Sequence, residues 1–156
     1  MQTLTTEAIG CIGKCTSGLS RKELDRITDN IQRTLSHPRG KQIFTKYLEK
    51  RDLKNEIECL NLYETCCGFI DELGKEPPLE VLKARIQAVK NMAEELDGVT
   101  EIDRALLESL VEAINSESSL ASLAVLKDTR DRCRDHLKKI HRSFKKYVSE
   151  PCPLRK

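Results

Sequence analysis

The stretch Ser36–Ile70, SHPRGKQIFTKYLEKRDLKNEIECLNLYETCCGFI, decides the fold class of this chain. It contains two runs of apolar residues spaced three and four positions apart, with a charged interruption between them. The first run consists of Ile43, Phe44, Tyr47 and Leu48, and the second of Ile57, Leu60, Tyr63, Cys67 and Ile70. This spacing predicts two helices, each of which turns one apolar face toward a core.

The residues before this stretch predict one further helix. Ser20 and Glu23 have the spacing of a capping box, and Leu24, Ile27, Ile31 and Leu35 follow at helical intervals. His37-Pro38 ends this helix, because the residue before a proline avoids helical geometry. Pro38 then begins the next helix, which extends to about Lys50, and a third is predicted over Leu53–Leu73 before Gly74 and Pro77-Pro78.

The residues after Pro78 predict four more helical segments. The first has the apolar stripe Leu82, Ile86, Val89, Ala93 and Leu96 and ends at Asp97-Gly98. The second, which is shorter, has Ile102, Leu106, Leu110 and Ile114, and the third, which is brief, has Leu120, Leu123 and Leu126. The last is long and has Cys133, Leu137, Ile140, Phe144 and Val148. No segment alternates as a strand would. We predict an all-α domain of seven to nine helices over residues 20–150, with a loosely ordered segment or terminal helix at 1–19 and a tail at 151–156.

Length and charge narrow the class of protein. A chain of 156 residues can bury a continuous core as one domain. Its net charge of +2 and its few aromatic residues disfavour nucleic-acid binding. The first residues have neither a basic leader nor a long apolar run, and no segment approaches the roughly 20 apolar residues of a membrane span. We therefore predict a soluble, cytoplasmic protein.

The seven cysteines predict free thiols, because their number is odd and their spacing irregular. Zinc sites commonly contain two compact Cys or His pairs. None of the three histidines (His37, His136 and His141) lies at such a spacing from a cysteine pair. We therefore predict no metal and no cofactor. Cys59, Cys67 and Cys133 fall on apolar stripes, where cysteine usually acts as a small hydrophobe.

Catalytic motifs are missing from the sequence. It contains no Gly-rich phosphate loop, no His-Glu-x-x-His and no Gly-x-Ser-x-Gly. The carboxylate pairs Glu94-Glu95 and Glu56/Glu58 are typical of solvated helix faces. Cys66 or Cys67 could act as a nucleophile only with a distant histidine, so a thiol enzyme stays an alternative. The sequence predicts a protein without an active site of its own.

Several segments, in order, resemble a regulator of G-protein signalling (RGS) domain. Gly40, Phe44, Tyr47-Leu48, Ile57 and Glu64 fall at the intervals of the family's opening helices. Val99–Asp103 resembles the turn before the family's sixth helix, Ser118–Asp131 its serine-started short helix, and His141–Lys146 its aromatic and basic ending. The resemblance spans roughly Thr34–Glu150.

The resemblance implies an RGS-like fold of about nine helices. A central four-helix antiparallel bundle would occupy the middle of the chain, and a terminal helical subdomain would gather both ends. It further implies a signalling protein whose partner is a Gα subunit or another signalling protein. Members of the family are not enzymes themselves. They accelerate GTP hydrolysis by holding the switch loops of Gα in their transition-state arrangement.

The polar contacts on which that activity depends differ in this chain. The positions that the resemblance assigns to partner binding are Asn55, Glu56, Thr100, Glu101, Lys139 and Ser143. Glu56 replaces an asparagine, Thr100 or Glu101 a second asparagine, Lys139 an acidic residue and Ser143 an arginine. We therefore predict a non-enzymatic signalling or scaffold module with weak or absent activity toward Gα. In an unrelated helical interaction domain, the same residues would be ordinary solvent-facing positions.

The last predicted helix carries a basic stripe. Between Lys127 and Lys146 there are nine Lys or Arg against three Asp. The residues that can lie together on the polar face are Arg130, Arg134, Lys138, Arg142 and Lys145. Such a stripe predicts peripheral contact with anionic lipid or an acidic partner, so a peripheral membrane adaptor is an alternative function. A solvated face that complements the helix dipole explains the same charges.

Overall fold

The computed structural model describes residues 20–96 and 98–149. These ranges contain seven helices and no strand, which confirms the predicted all-α class. The helices are α1 (Arg21–Ile27), α2 (Ile31–Ser36), α3 (Pro38–Lys50), α4 (Lys54–Leu73), α5 (Leu79–Glu94), α6 (Arg104–Ser116) and α7 (Ser119–Ser149). The predicted segment 1–19, the stop at Asp97 and the tail 151–156 lie outside the described residues. None of the described helices is long and apolar enough to span a membrane.

The chain divides into two compact units. Of the described residues, 20–57 and 138–149 belong to the first, which we call the terminal unit because it contains both ends of the described chain. Residues 58–137 belong to the second, the middle unit. The boundaries fall within α4 and within α7, so each of these helices contributes residues to both units.

The middle unit contains four helical segments that run antiparallel to their neighbours. Arg85, early in α5, contacts Glu72 at the end of α4 through two hydrogen bonds of 2.9 and 3.2 Å. Lys83 in α5 donates to Glu117, just after α6, at 2.8 Å. Cys59 Sγ, near the start of α4, donates at 3.5 Å to the carbonyl oxygen of Cys133, which lies late in the part of α7 that belongs to this unit. Each contact pairs an early part of one helix with a late part of another.

An aromatic cluster forms the core of the terminal unit. The ring of Phe144 in α7 packs edge-on against Phe44 and Tyr47 of α3, with centroids 5.0 and 5.4 Å apart. The three side chains are at most 2% exposed. Since the predicted apolar faces of α3 and of the last helix both contribute, the spacing of these residues identified the core correctly.

The sequence predicts one continuous helix from Ser20 through Leu35, and this is wrong because the structure has two helices here. The capping box of Ser20 and Glu23 is present, but the chain leaves α1 after Ile27 and begins α2 at Ile31. The Asn30 side chain accepts from the Arg33 amide at 2.9 Å, and the Thr28 hydroxyl donates to the Leu24 carbonyl at 2.7 Å. Short polar side chains of this kind favour helix ends, because they offer the backbone alternative hydrogen bonds.

The brief helix predicted around Leu120–Leu126 is also wrong, because it is the beginning of α7. The Ser118 hydroxyl accepts from the Ala121 amide at 3.2 Å, and the helix then continues to Ser149. Neither proline nor glycine interrupts these residues. Leu120 is 79% exposed and does not belong to the core, whereas Val125 and Leu126 are buried.

The buried face of α4 is rotated from the predicted one. Leu60 and Tyr63 are buried as expected, but Ile57, Cys67 and Ile70 are only half-buried. The fully enclosed positions are Cys59, Leu62 and Cys66, with 0% exposure. These residues recur at helical spacing too, so periodicity alone could not choose between the two adjacent faces.

Candidate functional site

The six predicted partner-binding residues are divided between the two units. Asn55, Glu56, Lys139 and Ser143 belong to the terminal unit, and Thr100 and Glu101 to the middle unit. Neither unit therefore contains the complete predicted set.

In the terminal unit, the four predicted residues lie on two helices. Asn55 and Glu56 are half-buried in the first turn of α4, where the carboxylate of Glu56 complements the positive end of the helix dipole. Lys139 and Ser143 are exposed and lie one helical turn apart on α7. The helical spacing places these two side chains on the same face of α7.

In the middle unit, the loop before α6 is fixed at both of its ends. Val99 is 3% exposed, and the Asp103 side chain accepts from the Leu106 amide at 2.9 Å as the N-cap of α6. The hydrogen bond from the Leu106 amide is the main cause that lowers the pKa of Asp103. Between these anchors, Thr100 is exposed and Glu101 is half-buried.

Two residues of α7 hold this loop. Arg132 donates from Nη1 to the Glu101 carbonyl at 2.9 Å and to Asp103 Oδ1 at 3.0 Å. His136 Nδ1 lies 2.9 Å from Glu101 Oε1, and because a carboxylate can only accept, the imidazole donates from Nδ1. Glu101 therefore serves an internal contact at the position where the resemblance implies a partner-binding side chain.

The sequence interpretation missed Arg132 and His136. His136 falls between the buried residues Cys133 and Leu137, and it is itself 7% exposed. A polar group on the buried side of a helix needs a hydrogen-bond partner. That rule could have indicated an internal contact for His136, although not its partner 35 positions away.

The predicted basic stripe is partly neutralised by carboxylates of the chain itself. Arg130 and Arg134, in the middle unit, pair with Asp131 at 3.0 and 3.3 Å. Lys145, in the terminal unit, pairs with Asp29 at 3.3 Å. Lys138 and Arg142 are exposed on α7. The stripe's role in binding anionic lipid stays a prediction, with fewer uncompensated charges than the sequence indicates.

Among the described residues, three recesses are each lined by residues of one unit. In the terminal unit, a recess of about 280 Å³ is lined by Arg51, Ser143, Lys146 and Tyr147. In the middle unit, a recess of about 470 Å³ between α6 and α7 is lined mainly by small side chains such as Ala113, Ala121 and Ala124. A smaller one of about 230 Å³ includes Glu58, Met92 and Leu96. The first recess includes Ser143, one of the predicted partner-binding residues.

Three thiols of the middle unit have a raised pKa. Burial raises the pKa of Cys66 to about 12 and also raises that of Cys67. The hydrogen bond with Cys59, followed by burial, raises the pKa of Cys133. A nucleophilic cysteine needs a lowered pKa, so these three environments oppose thiolate formation. Within residues 20–96 and 98–149, no cluster of His, Cys, Asp or Glu is placed to hold a metal ion.

His141 of α7 is buried in the terminal unit. It is 5% exposed, and its Nε2 lies 2.8 Å from Thr34 Oγ1. The single Thr34 hydroxyl proton has carbonyl acceptors on Ile27 and Asn30 at 3.0 and 3.1 Å. The imidazole therefore donates from Nε2 to the hydroxyl oxygen. Burial, and secondarily the charge of Lys145, lowers the pKa of His141 to about 4.

This buried imidazole makes the stability of the protein pH-dependent. The folded-state pKa lies below the ordinary value of 6.5, so the unfolded chain binds the proton more readily. The stabilisation is complete above pH 6.5 and is lost as the pH falls toward 4. We expect the free energy of unfolding to fall by about 2 kcal/mol between pH 7 and pH 5, as measured by urea denaturation.

His141→Gln is the control for this pH dependence. The glutamine amide can donate to Thr34 as Nε2 does, but it does not titrate. Its free energy of unfolding should change much less over the same pH interval. An unchanged pH dependence in this variant would assign the effect to other groups.

Comparison with known proteins gives no relative for this chain: no protein-family model, no curated protein and no solved structure matches it.

Proposed function

We propose that this protein is a non-enzymatic interaction module with an RGS-like fold, which binds a signalling protein and accelerates GTP hydrolysis by Gα weakly or not at all. The division of the chain supports the proposal. One compact unit combines both ends of the described chain, and the other contains four antiparallel helical segments from its middle. This agrees with the two-part arrangement that the resemblance implies.

The polar residues support the second half of the proposal, the weak activity toward Gα. Glu56 places an anion where the resemblance implies an amide, and Lys139 reverses an acidic position. Loss of a charged contact in a buried interface costs about 2–5 kcal/mol. Glu101 is, in addition, hydrogen-bonded to His136 at 2.9 Å. An interface with these changes keeps a surface for a protein partner but lacks the contacts that would hold the switch loops.

A single-turnover GTPase assay across Gα classes tests the proposal. We expect the wild-type protein to change the hydrolysis rate little. We expect the variant Glu56→Asn/Lys139→Asp/Ser143→Arg, which restores the family's residue types at three positions, to accelerate it. Glu101 is left unchanged, because replacing it would release the loop that His136 and Arg132 hold.

A control variant should change charge in the same way at exposed positions outside the predicted partner-binding set. Glu80→Asn, Lys127→Asp and Ser36→Arg make the same kinds of substitution on α5, α7 and α2, and this variant should stay as inactive as the wild type. Capture by Gα loaded with GDP and aluminium fluoride measures binding separately. Strong wild-type acceleration that survives Glu56→Ala would contradict the weak activity. If the restored variant neither accelerates hydrolysis nor is captured by the loaded Gα, the RGS-like assignment is wrong.

A further inference from the structure

The recess lined by Arg51, Ser143, Lys146 and Tyr147, which we call the Arg51 recess, brings together four side chains that can each donate a hydrogen bond. Two of these side chains are cations and two are hydroxyl groups. Within the ranges that the structure describes, no carboxylate forms an ion pair with Arg51 or Lys146. This distinguishes them from Arg130, Arg134 and Lys145, whose charges are balanced by Asp131 or Asp29.

Backbone hydrogen bonds around Arg51 fix the position of its Cα atom at the end of α3. The Arg51 amide donates to the Tyr47 carbonyl at 3.1 Å and closes α3. Asp52 follows in the left-handed region with φ of 55°, and the Leu53 amide donates to the Leu48 carbonyl at 3.0 Å. Hydrogen bonds of this kind terminate a helix in a defined geometry. The guanidinium group is therefore presented from a fixed turn.

Two of the residues that line the recess, Arg51 and Tyr147, pack against the buried ring of Tyr47. The Arg51 guanidinium carbon lies 4.9 Å from the centroid of the Tyr47 ring. The Tyr147 ring, whose centroid is 5.4 Å from that of Tyr47, contacts the same buried ring. Ser143, Lys146 and Tyr147 occupy neighbouring positions on one face of α7, since they are three and four residues apart. Two cations thus line one recess beside packed aromatic rings.

We propose that the Arg51 recess binds a phosphate monoester of a small polyol. A guanidinium group can contact two phosphoryl oxygens at once, and an ammonium group adds a compact charge. The hydroxyl groups of Ser143 and Tyr147 supply further donors. A monoester has up to two negative charges and three terminal oxygens, which match two cations and several donors better than a carboxylate does. The volume of about 280 Å³ accommodates a phosphoryl group with a small polar body.

Inositol monophosphate, which has one phosphate monoester on a small polyol, is the probe for free ligand, and its binding is measured by titration calorimetry. We expect one molecule to bind per chain with a Kd below about 1 mM, and more weakly as the salt concentration rises. Arg51→Met and Lys146→Met should each weaken binding about tenfold or more, because each removes a charged donor. Lys146→Met keeps the Arg51–Tyr47 contact intact, so it tests the recess even if Arg51→Met unfolds the protein.

Lys138→Met is the matched control. Lys138 is an exposed lysine in the same unit and on the same helix, but it does not line the recess. Its loss should change the affinity by no more than about twofold. If Lys138→Met weakens binding as much as Lys146→Met, the attraction is diffuse charge along α7, and the proposal is wrong.

Vesicles distinguish a lipid headgroup from a free ligand. Phosphatidylcholine vesicles are prepared with phosphatidylinositol monophosphate in one arm and with phosphatidylserine in the other, and binding is measured by co-sedimentation. Binding that needs the phosphorylated headgroup and is lost in Lys146→Met identifies a lipid as the source. Binding of inositol monophosphate without vesicle binding identifies a free molecule. Equal binding to both vesicle types, or no binding of either probe by the wild type, would overturn the proposal.

Discussion

Phe144→Ala is expected to lower the free energy of unfolding by about 3–5 kcal/mol, the largest effect that we predict for a single substitution. Phe144 is 0% exposed and stands at the centre of the terminal-unit cluster. Its ring contacts Phe44 and Tyr47 edge-on and lies 5.6 Å from the imidazole of His141. Truncation removes these contacts and leaves a cavity that α3 and α7 can close only in part. Urea denaturation followed by circular dichroism gives the measurement.

Phe69→Ala makes the same chemical change at a half-buried position. Phe69 belongs to the middle unit, where the Arg85 guanidinium carbon lies 5.3 Å from its ring centroid. Because folding buries less apolar surface at this position, the loss in the free energy of unfolding should be clearly smaller than for Phe144→Ala. Equal losses for the two variants would mean that Phe144 is no special anchor of the terminal unit. A changed denaturant slope would show that the unfolding transition itself had altered.

Gly40→Ala is expected to destabilise the protein by about 1–3 kcal/mol, although alanine is the better helix former. Gly40 lies in the first turn of α3, directly against α2. A Cβ atom at this position would lie 2.8 Å from the Thr34 carbonyl oxygen and 3.2 Å from the Thr34 Cα. Both atoms belong to the backbone, so no side-chain rotation relieves the clash, and the two helices must move apart. The free energy of unfolding from urea denaturation measures the effect.

Gly68→Ala provides a control of opposite sign. Gly68 is exposed within α4, and nothing lies within 4 Å of an added Cβ. Substitution there should stabilise the protein by about 0.5–1 kcal/mol, because alanine loses less backbone entropy in a helix. If Gly40→Ala also stabilised the protein, the close approach of α2 and α3 would be wrong.

The helices of this protein could be predicted closely wherever a cap or a proline marks their ends. Pro38 begins α3 and Lys50 ends it, as the sequence predicts, and Leu73 ends α4 before Gly74. Continuity was predicted less well. The break at Asn30 depends on side-chain hydrogen bonds that compete with the helix, and the apolar stripe simply continues across it.

The candidate site could be predicted only in part. The exposed positions Lys139 and Ser143 follow from helical spacing, but the internal role of Glu101 does not. Its partner His136 lies 35 positions away, and the pairing exists only once α7 packs beside the loop. The Arg51 recess is a stronger case, because nothing near Arg51 in the sequence indicates Lys146.

By itself, the sequence determined that the chain is helical, where most helices begin and end, and that Phe44, Tyr47 and Phe144 are core residues. These properties depend on hydrogen bonds and apolar spacing among residues that are neighbours along the chain. Only the tertiary structure decided which face of α4 is buried, which cations are neutralised and which remain together in the Arg51 recess. Those outcomes depend on side chains from distant segments, and a linear pattern carries no information about the distance between them.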